Sequence, residues 1–226
     1  FFTITGFFFV ASVSDAFSEA SIRGFLAGAV FFMIFLSPAL TMRLIAEEQK
    51  LGTMELLMTS PLKDFEIVIG KFLAALSIII VMIIGTFFYP IILIIFGVPD
   101  IGPIFTGYLG LILYSSSTLS VGIFASSLSS NQLVSLVVGS GILSFLTFID
   151  FVSSRLSGAF GTILNELQLG GSFSLFDSSS FGIAEGGHFA DFARGIINVY
   201  DIIFYISVST IFLVLTIFSL ESRRWR

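Results

Sequence analysis

From Phe72 to Val98 the chain reads FLAALSIIIVMIIGTFFYPIILIIFGV, 27 residues without one Asp, Glu, Lys, Arg or His. A run of this length exceeds the ~20 residues that carry an α-helix across a bilayer core. In hydrocarbon each unpaired backbone amide or carbonyl costs several kcal/mol, so the run must close its hydrogen bonds internally, as helix. The alternating pattern of a lipid-facing barrel strand is absent. Segments at 25–42, 105–125, 132–150 and 202–220 repeat the signal. A sixth apolar run, FFTITGFFFVASV at 1–13, falls short of the ~17 to 25 residues that a span requires. It reads as the remainder of a longer first helix. A secretory signal is the other reading, but the run has no basic stretch before it and no small-residue cleavage site after it. The expected fold is therefore all-α, a single transmembrane domain with six spans.

Composition agrees: 56% of the 226 residues are hydrophobic and 11% charged, with 29 phenylalanines, and the mean hydropathy is +1.06. Lipid must solvate such a surface, and a large aqueous domain is excluded. Ten Lys plus Arg against fifteen Asp plus Glu leave a formal net charge of -5 and no basic face for nucleic acid. The chain has no cysteine and one histidine, His188, so no thiolate chemistry, disulfide or multi-histidine metal site is expected, and no cofactor.

Basic residues near span ends set orientation. Arg43, Lys50, Lys63 and Lys71 share one loop, and Arg223, Arg224 and Arg226 form the tail. Both are expected on the cytoplasmic side of a bacterial-type plasma (inner) membrane. The loops near 14–24, 97–104 and 151–201 then lie outside. Residues 151–201 read as loop or re-entrant structure around the Gly/Ser-rich LGGSFSLFDSSSFGIAEGG, flanked by short interfacial helices in SGAFGTILNEL and HFADFARGIINV.

The loop from 43 to 71 concentrates charge in a chain that otherwise avoids it, which marks an aqueous face. Gly52 interrupts the helix leaving the membrane, Thr53 is placed to cap a new turn, and Glu55 suits that turn's positive end. Pro61 ends the turn and pushes Ser60 toward an extended conformation, while Asp64 is placed to cap the next helix. Leu51, Met54, Leu57 and Met58 recur at helical spacing beside Glu47, Glu48 and Glu55. Lying on the headgroups would set three acidic residues against an anionic leaflet, so a protein groove is the favoured partner for this stripe.

The stretch AEEQKLGTMELLMTSPLKDFEIVIGK resembles the type 2 ABC transporter permeases, in particular the subgroup with the gliding-motility permeases. The ending HFADFARGIINVYDIIFY followed by LESRRW is similar to the same subgroup. In that family an acidic pair, a Gly-Thr-x-Glu-Leu-Leu core, a Ser/Ala-Pro and a Gly-Lys form a cytoplasmic coupling helix between spans two and three, which docks on an ATPase subunit. Glu47, Glu48, Gly52, Thr53, Glu55, Leu56, Leu57, Ser60, Pro61, Gly70 and Lys71 stand at the matching places. The family's amphipathic elbow helix before the first span is missing, and the insert near 169–187 has no counterpart.

The resemblance implies a non-enzymatic membrane subunit. An ABC ATP-binding subunit and a second permease copy or homologue are its implied partners, export is the implied activity, and ATP is hydrolysed in the separate subunit. Gly70-Lys71 forms no phosphate loop, because Phe72 replaces the required Ser/Thr. A subunit relaying ATPase work to an extracytoplasmic partner protein is the alternative reading. An ATP-independent carrier or channel lacks the intramembrane charges that mark ion pathways. Ser116, Ser117 and Ser120, within the cluster from Ser115 to Ser120, suit close helix packing, with a pathway wall as the sharper alternative. Ser126 to Gln132 reads as a polar turn, and Asp100 and Asp150 as span boundaries.

Overall fold

The computed structural model describes residues 1–13, 21–54, 63–97, 99–153, 166–171 and 187–224, together with positions 155, 161 and 164. Every regular element among the described residues is helical. In chain order these are α1 (Phe2–Val13), α2 (Arg23–Thr41), α3 (Ala46–Leu51), α4 (Asp64–Gly85), α5 (Phe88–Phe96), α6 (Ile101–Leu128), α7 (Gln132–Thr147), α8 (Ile149–Ser153), α9 (His188–Arg194) and α10 (Val199–Arg224).

Among the described residues, four stretches are long and apolar enough to cross a membrane: Arg23–Leu51, Asp64–Phe96, Ile101–Leu128 and Val199–Ser222. The expected spans at 25–42, 105–125 and 202–220 lie on them, as does the expected span at 72–98 up to Phe96. α1 and α7 are apolar but have 12 and 16 residues. At ~1.5 Å per residue they extend about 18 and 24 Å, below a hydrocarbon core of ~30 Å. α7 ends at Thr147 because the chain bends at Phe148 before α8, so Asp150 belongs to a separate short helix. The polar turn expected at 126–132 is shorter than the sequence suggests. α6 continues through Leu128, and Asn131 then caps α7 by accepting the Leu133 N–H at 3.0 Å.

The chain divides into two compact units. The first comprises Phe1–Phe32, Val81–Tyr114 and Ser144–Ile203. Aromatic rings dominate its packing: Phe25 lies 5.1 Å from Tyr89 and 5.9 Å from Tyr108, and Tyr114 meets Phe189 edge-on at 5.9 Å. Three of its buried hydroxyls are tied to partners, which offsets the cost of burying them. Thr86 and Tyr108 pair at 3.1 Å, and Thr106 donates to the Phe192 carbonyl at 2.7 Å. α9 buries five of its seven residues against this unit.

The second unit comprises Met33–Ile80, Ser115–Leu143 and Phe204–Arg226. Pro38, inside α2, is approached by two glycines: a Cβ on Gly139 would stand 3.1 Å from the Pro38 Cβ, and one on Gly122 would stand 3.4 Å from its Cα. Small residues at these crossings let the helix backbones come close, as lipid-embedded packing requires.

Candidate functional site

The charged loop enters the second unit through α3. After α2 ends at Thr41, residues 42–45 form a turn in which Leu44 N–H bonds the Thr41 carbonyl at 3.0 Å. α3 then opens at Ile45, a residue with no side chain to cap it. The cap comes from α6: the Ser126 hydroxyl accepts the Ile45 and Ala46 N–H groups at 3.2 and 3.1 Å and donates to the Met42 carbonyl at 3.2 Å. Gln49 Nε2 adds a bond to the Ser127 carbonyl at 3.3 Å. From α4, Lys71 pairs with Glu48 Oε1 at 2.6 Å and donates to the Leu44 carbonyl.

Gly52 terminates α3 with φ of +71°, the left-handed conformation that favours glycine, and a Cβ there would touch nothing within 4 Å. The break expected at Gly52 is thus present. Thr53 serves the end of α3, donating its hydroxyl to the Glu48 carbonyl at 3.3 Å. At the far side of the loop the cap falls one residue before the expected Asp64. Glu66 and Ile67 N–H both bond the Lys63 carbonyl, and the Glu66 carboxylate accepts the Lys63 N–H at 3.1 Å, half of a capping box.

The expected apolar stripe is divided. Met54 is buried in a cluster with Ile45, Val68, Ile123 and Leu220. Leu51 is 67% exposed, next to exposed Lys50, Gly52 and Thr53, with Glu47 half-buried. Glu55, Leu56, Leu57, Met58, Ser60 and Pro61 lie outside the described residues.

The whole stretch lies within a family match: the model described as ABC-2 family transporter protein covers residues 10–218. The chain belongs to this family. It is accordingly a multi-pass membrane protein and a permease subunit of an ABC transporter, a class that works with an ATP-binding partner and as a permease dimer. No curated protein and no solved structure matches it.

In this ABC-2 chain the serines of α6 are engaged within the second unit. Ser117 donates to the Tyr205 carbonyl at 2.8 Å, and Ser116 and Ser117 lie 3.0 and 3.2 Å from the Ser209 hydroxyl. Ser120 donates back to the Ser117 carbonyl at 2.7 Å. These contacts join α6 to α10, the close packing that small hydroxyl residues allow.

His188, in the first unit, is buried between two acceptors. Its Nδ1 lies 2.6 Å from Asp201 Oδ1 and its Nε2 lies 3.1 Å from the Glu166 carbonyl. Tyr200 donates to Glu166 Oε2 at 2.7 Å beside it. Sequence reading missed this pair and the Ser126 cap, because neither has a local signature: the Ser126 partners lie 80 to 84 residues away.

Proposed function

We propose that this permease subunit couples ATP hydrolysis by a separate ATP-binding subunit to substrate export, through the loop between α2 and α4. In this reading α1 and α7 complete six spans, the loop at 43–71 and the C-terminal tail face the cytoplasm of a bacterial-type plasma membrane, and a second permease copy or homologue completes the transport domain. The closer likeness to gliding-motility permeases rests on the motif around Gly52 and on the chain's ending. Ser116, Ser117 and Ser120 enter the reading as packing contacts of a helix that must move during transport.

The observation that carries the proposal is the environment of Leu51. An apolar side chain 67% exposed, on a short helix clamped to the permease and bordered by charge, suits insertion into a groove of another protein. Met54, beyond the turn at Gly52, faces inward and supports the loop from behind. For coupling to occur, docking at Leu51 must differ between nucleotide states of the ATP-binding subunit, since equal contact in both states shifts no equilibrium.

Leu51→Asp is expected to weaken capture of the co-expressed ATP-binding subunit by roughly 30-fold or more, a loss of about 2 kcal/mol typical of a central apolar contact. Membrane insertion should be unaffected. Met54→Asp should instead disturb the permease itself. Capture that survives Leu51→Asp would remove the docking assignment, and flux of candidate substrates in liposomes would separate export from force relay.

A further inference from the structure

We infer that Ser126 is a positioning residue that makes α3 and the C-terminal turn of α6 one rigid body, so that α6 is a third arm of the coupling lever beside α2 and α4. The inference rests on the reading of the loop as the coupling element. Its own basis is hydrogen-bond capacity. A serine hydroxyl has one proton and two lone pairs, and Ser126 uses all three on the α2–α3 connection: Ile45 N–H, Ala46 N–H and the Met42 carbonyl. Ile45 and Ala46 are fully buried, so without that oxygen their N–H groups have no water to turn to. α3 has no cap of its own that could substitute.

The second bond, from Gln49 Nε2 to the Ser127 carbonyl, stands one turn further along α3 and resists rotation about the first. Beneath both, Ile123 of α6 packs with Ile45 and Met54. Two polar anchors and an apolar seat thus join α3 to a helix with which it shares no sequence neighbourhood. α3 cannot tilt without carrying the end of α6 along or breaking these contacts. Because Ser116 and Ser117 of α6 bond Ser209 and the Tyr205 carbonyl, a displacement of α6 is also felt by α10.

The chain contains no cysteine, so Lys50→Cys and Ser130→Cys, both at exposed positions, can carry spin labels that report the α3 to α6 separation. The measurement is the label distance in liposomes holding the permease with its ATP-binding subunit, nucleotide-free and vanadate-trapped, beside permease-stimulated ATP hydrolysis. With Ser126 intact the distance is expected to be narrow and the same in both states. Ser126→Ala should broaden it, make it nucleotide-dependent and lower stimulated hydrolysis roughly tenfold. Gln49→Leu should act in the same direction with smaller effect. Ser77→Ala, which loses only an exposed bond within α4, should change neither readout.

A distance that changes with nucleotide while Ser126 is intact, or that stays narrow in Ser126→Ala, overturns the inference. Should Ser126→Ala fail to assemble in the membrane, the Gln49→Leu distance decides in the same terms. If the ATP-binding subunit neither binds nor is stimulated by the chain with Ser126 intact, the coupling reading fails by itself, and label distances in the permease alone still decide whether Ser126 holds the joint.

Discussion

Replacing Gly187 with alanine is expected to detach the segment from His188 to Gly195 from its seat and to speed trypsin cleavage after Arg194, a residue already exposed but held in a folded helix, about a hundredfold. Gly187 has φ of 76° and ψ of 159°, a region essentially reserved for glycine, where another residue costs on the order of 1–3 kcal/mol. Space compounds the strain. A Cβ would stand 2.1 Å from the Gly170 carbonyl oxygen and 3.0 Å from the Gly171 Cα, and both are backbone atoms that cannot swing aside. Moving position 187 also moves His188, whose ring is held between Asp201 and the Glu166 carbonyl. Leaving a buried hydrogen-bonding group of this kind without its partner costs about 1–3 kcal/mol. The sum of strain and lost bonds is larger than the stability of most local segments. Gly141→Ala is the matched control, since a Cβ there meets nothing within 4 Å and the residue lies inside α7, where alanine is favoured by about 1 kcal/mol. Equal trypsin rates for Gly187→Ala and the parent chain would refute the account.

Reversing the charge of Lys71 is expected to have the second large effect. Lys71→Glu places a carboxylate opposite Glu48, whose oxygen now sits 2.6 Å from the ammonium, and removes the donor to the Leu44 carbonyl. Two carboxylates at ~4 Å repel by about 4 kcal/mol at an effective dielectric of ~20, and the lost bond adds about 1 kcal/mol. Side-chain exposure of 15% for Lys71 and 33% for Glu48 lets water screen part of this, so the net is about 3 kcal/mol. Hydrogen exchange at Gln49, whose N–H bonds the Ile45 carbonyl at 3.0 Å, should accelerate by roughly a hundredfold. Combining Lys71→Glu with Glu48→Lys restores opposite charges but leaves the Leu44 carbonyl without its donor, so recovery should be partial. Full recovery would mean that charge alone matters, and unchanged exchange in Lys71→Glu would mean that the pair holds nothing.

The helices were legible in the sequence because lipid imposes a one-dimensional rule: an apolar run of sufficient length must be helical, wherever its neighbours lie. The ends were less so. α7 stops short of 150 because Phe148 bends out of the helix, an event with no Gly or Pro to announce it. The break at Gly52 was readable since only a residue tolerant of positive φ ends a helix in this way. The cap at Lys63 was mistaken for Asp64, because the side chain that closes it belongs to Glu66, three residues on. At the candidate site, Lys71 stood out as part of a motif and Ser126 did not. A capping serine normally precedes its helix directly, whereas this one reaches α3 from another helix and is visible only in three dimensions. Met54 and Leu51 looked alike in the stripe. The turn at Gly52 between them sends one into the cluster around Ile123 and leaves the other exposed.

α6 offers lipid the least of itself. Its most apolar stretch has a mean hydropathy of 1.5 and is 72% buried, whereas the Asp64–Phe96 stretch reaches 2.9 with 33% buried and the Val199–Ser222 stretch 2.3 with 17% buried. The most enclosed segment is thus the least greasy. Its residence in the bilayer is expected to lean most on companions already present, which would make biogenesis a matter of order, with α2 and α4 entering first and α6 held there once they are available to surround it. Translation stalled far enough beyond Leu128 for α6 to clear the ribosome should therefore yield a segment that slips back toward water whenever the preceding helices are replaced by inert polyleucine.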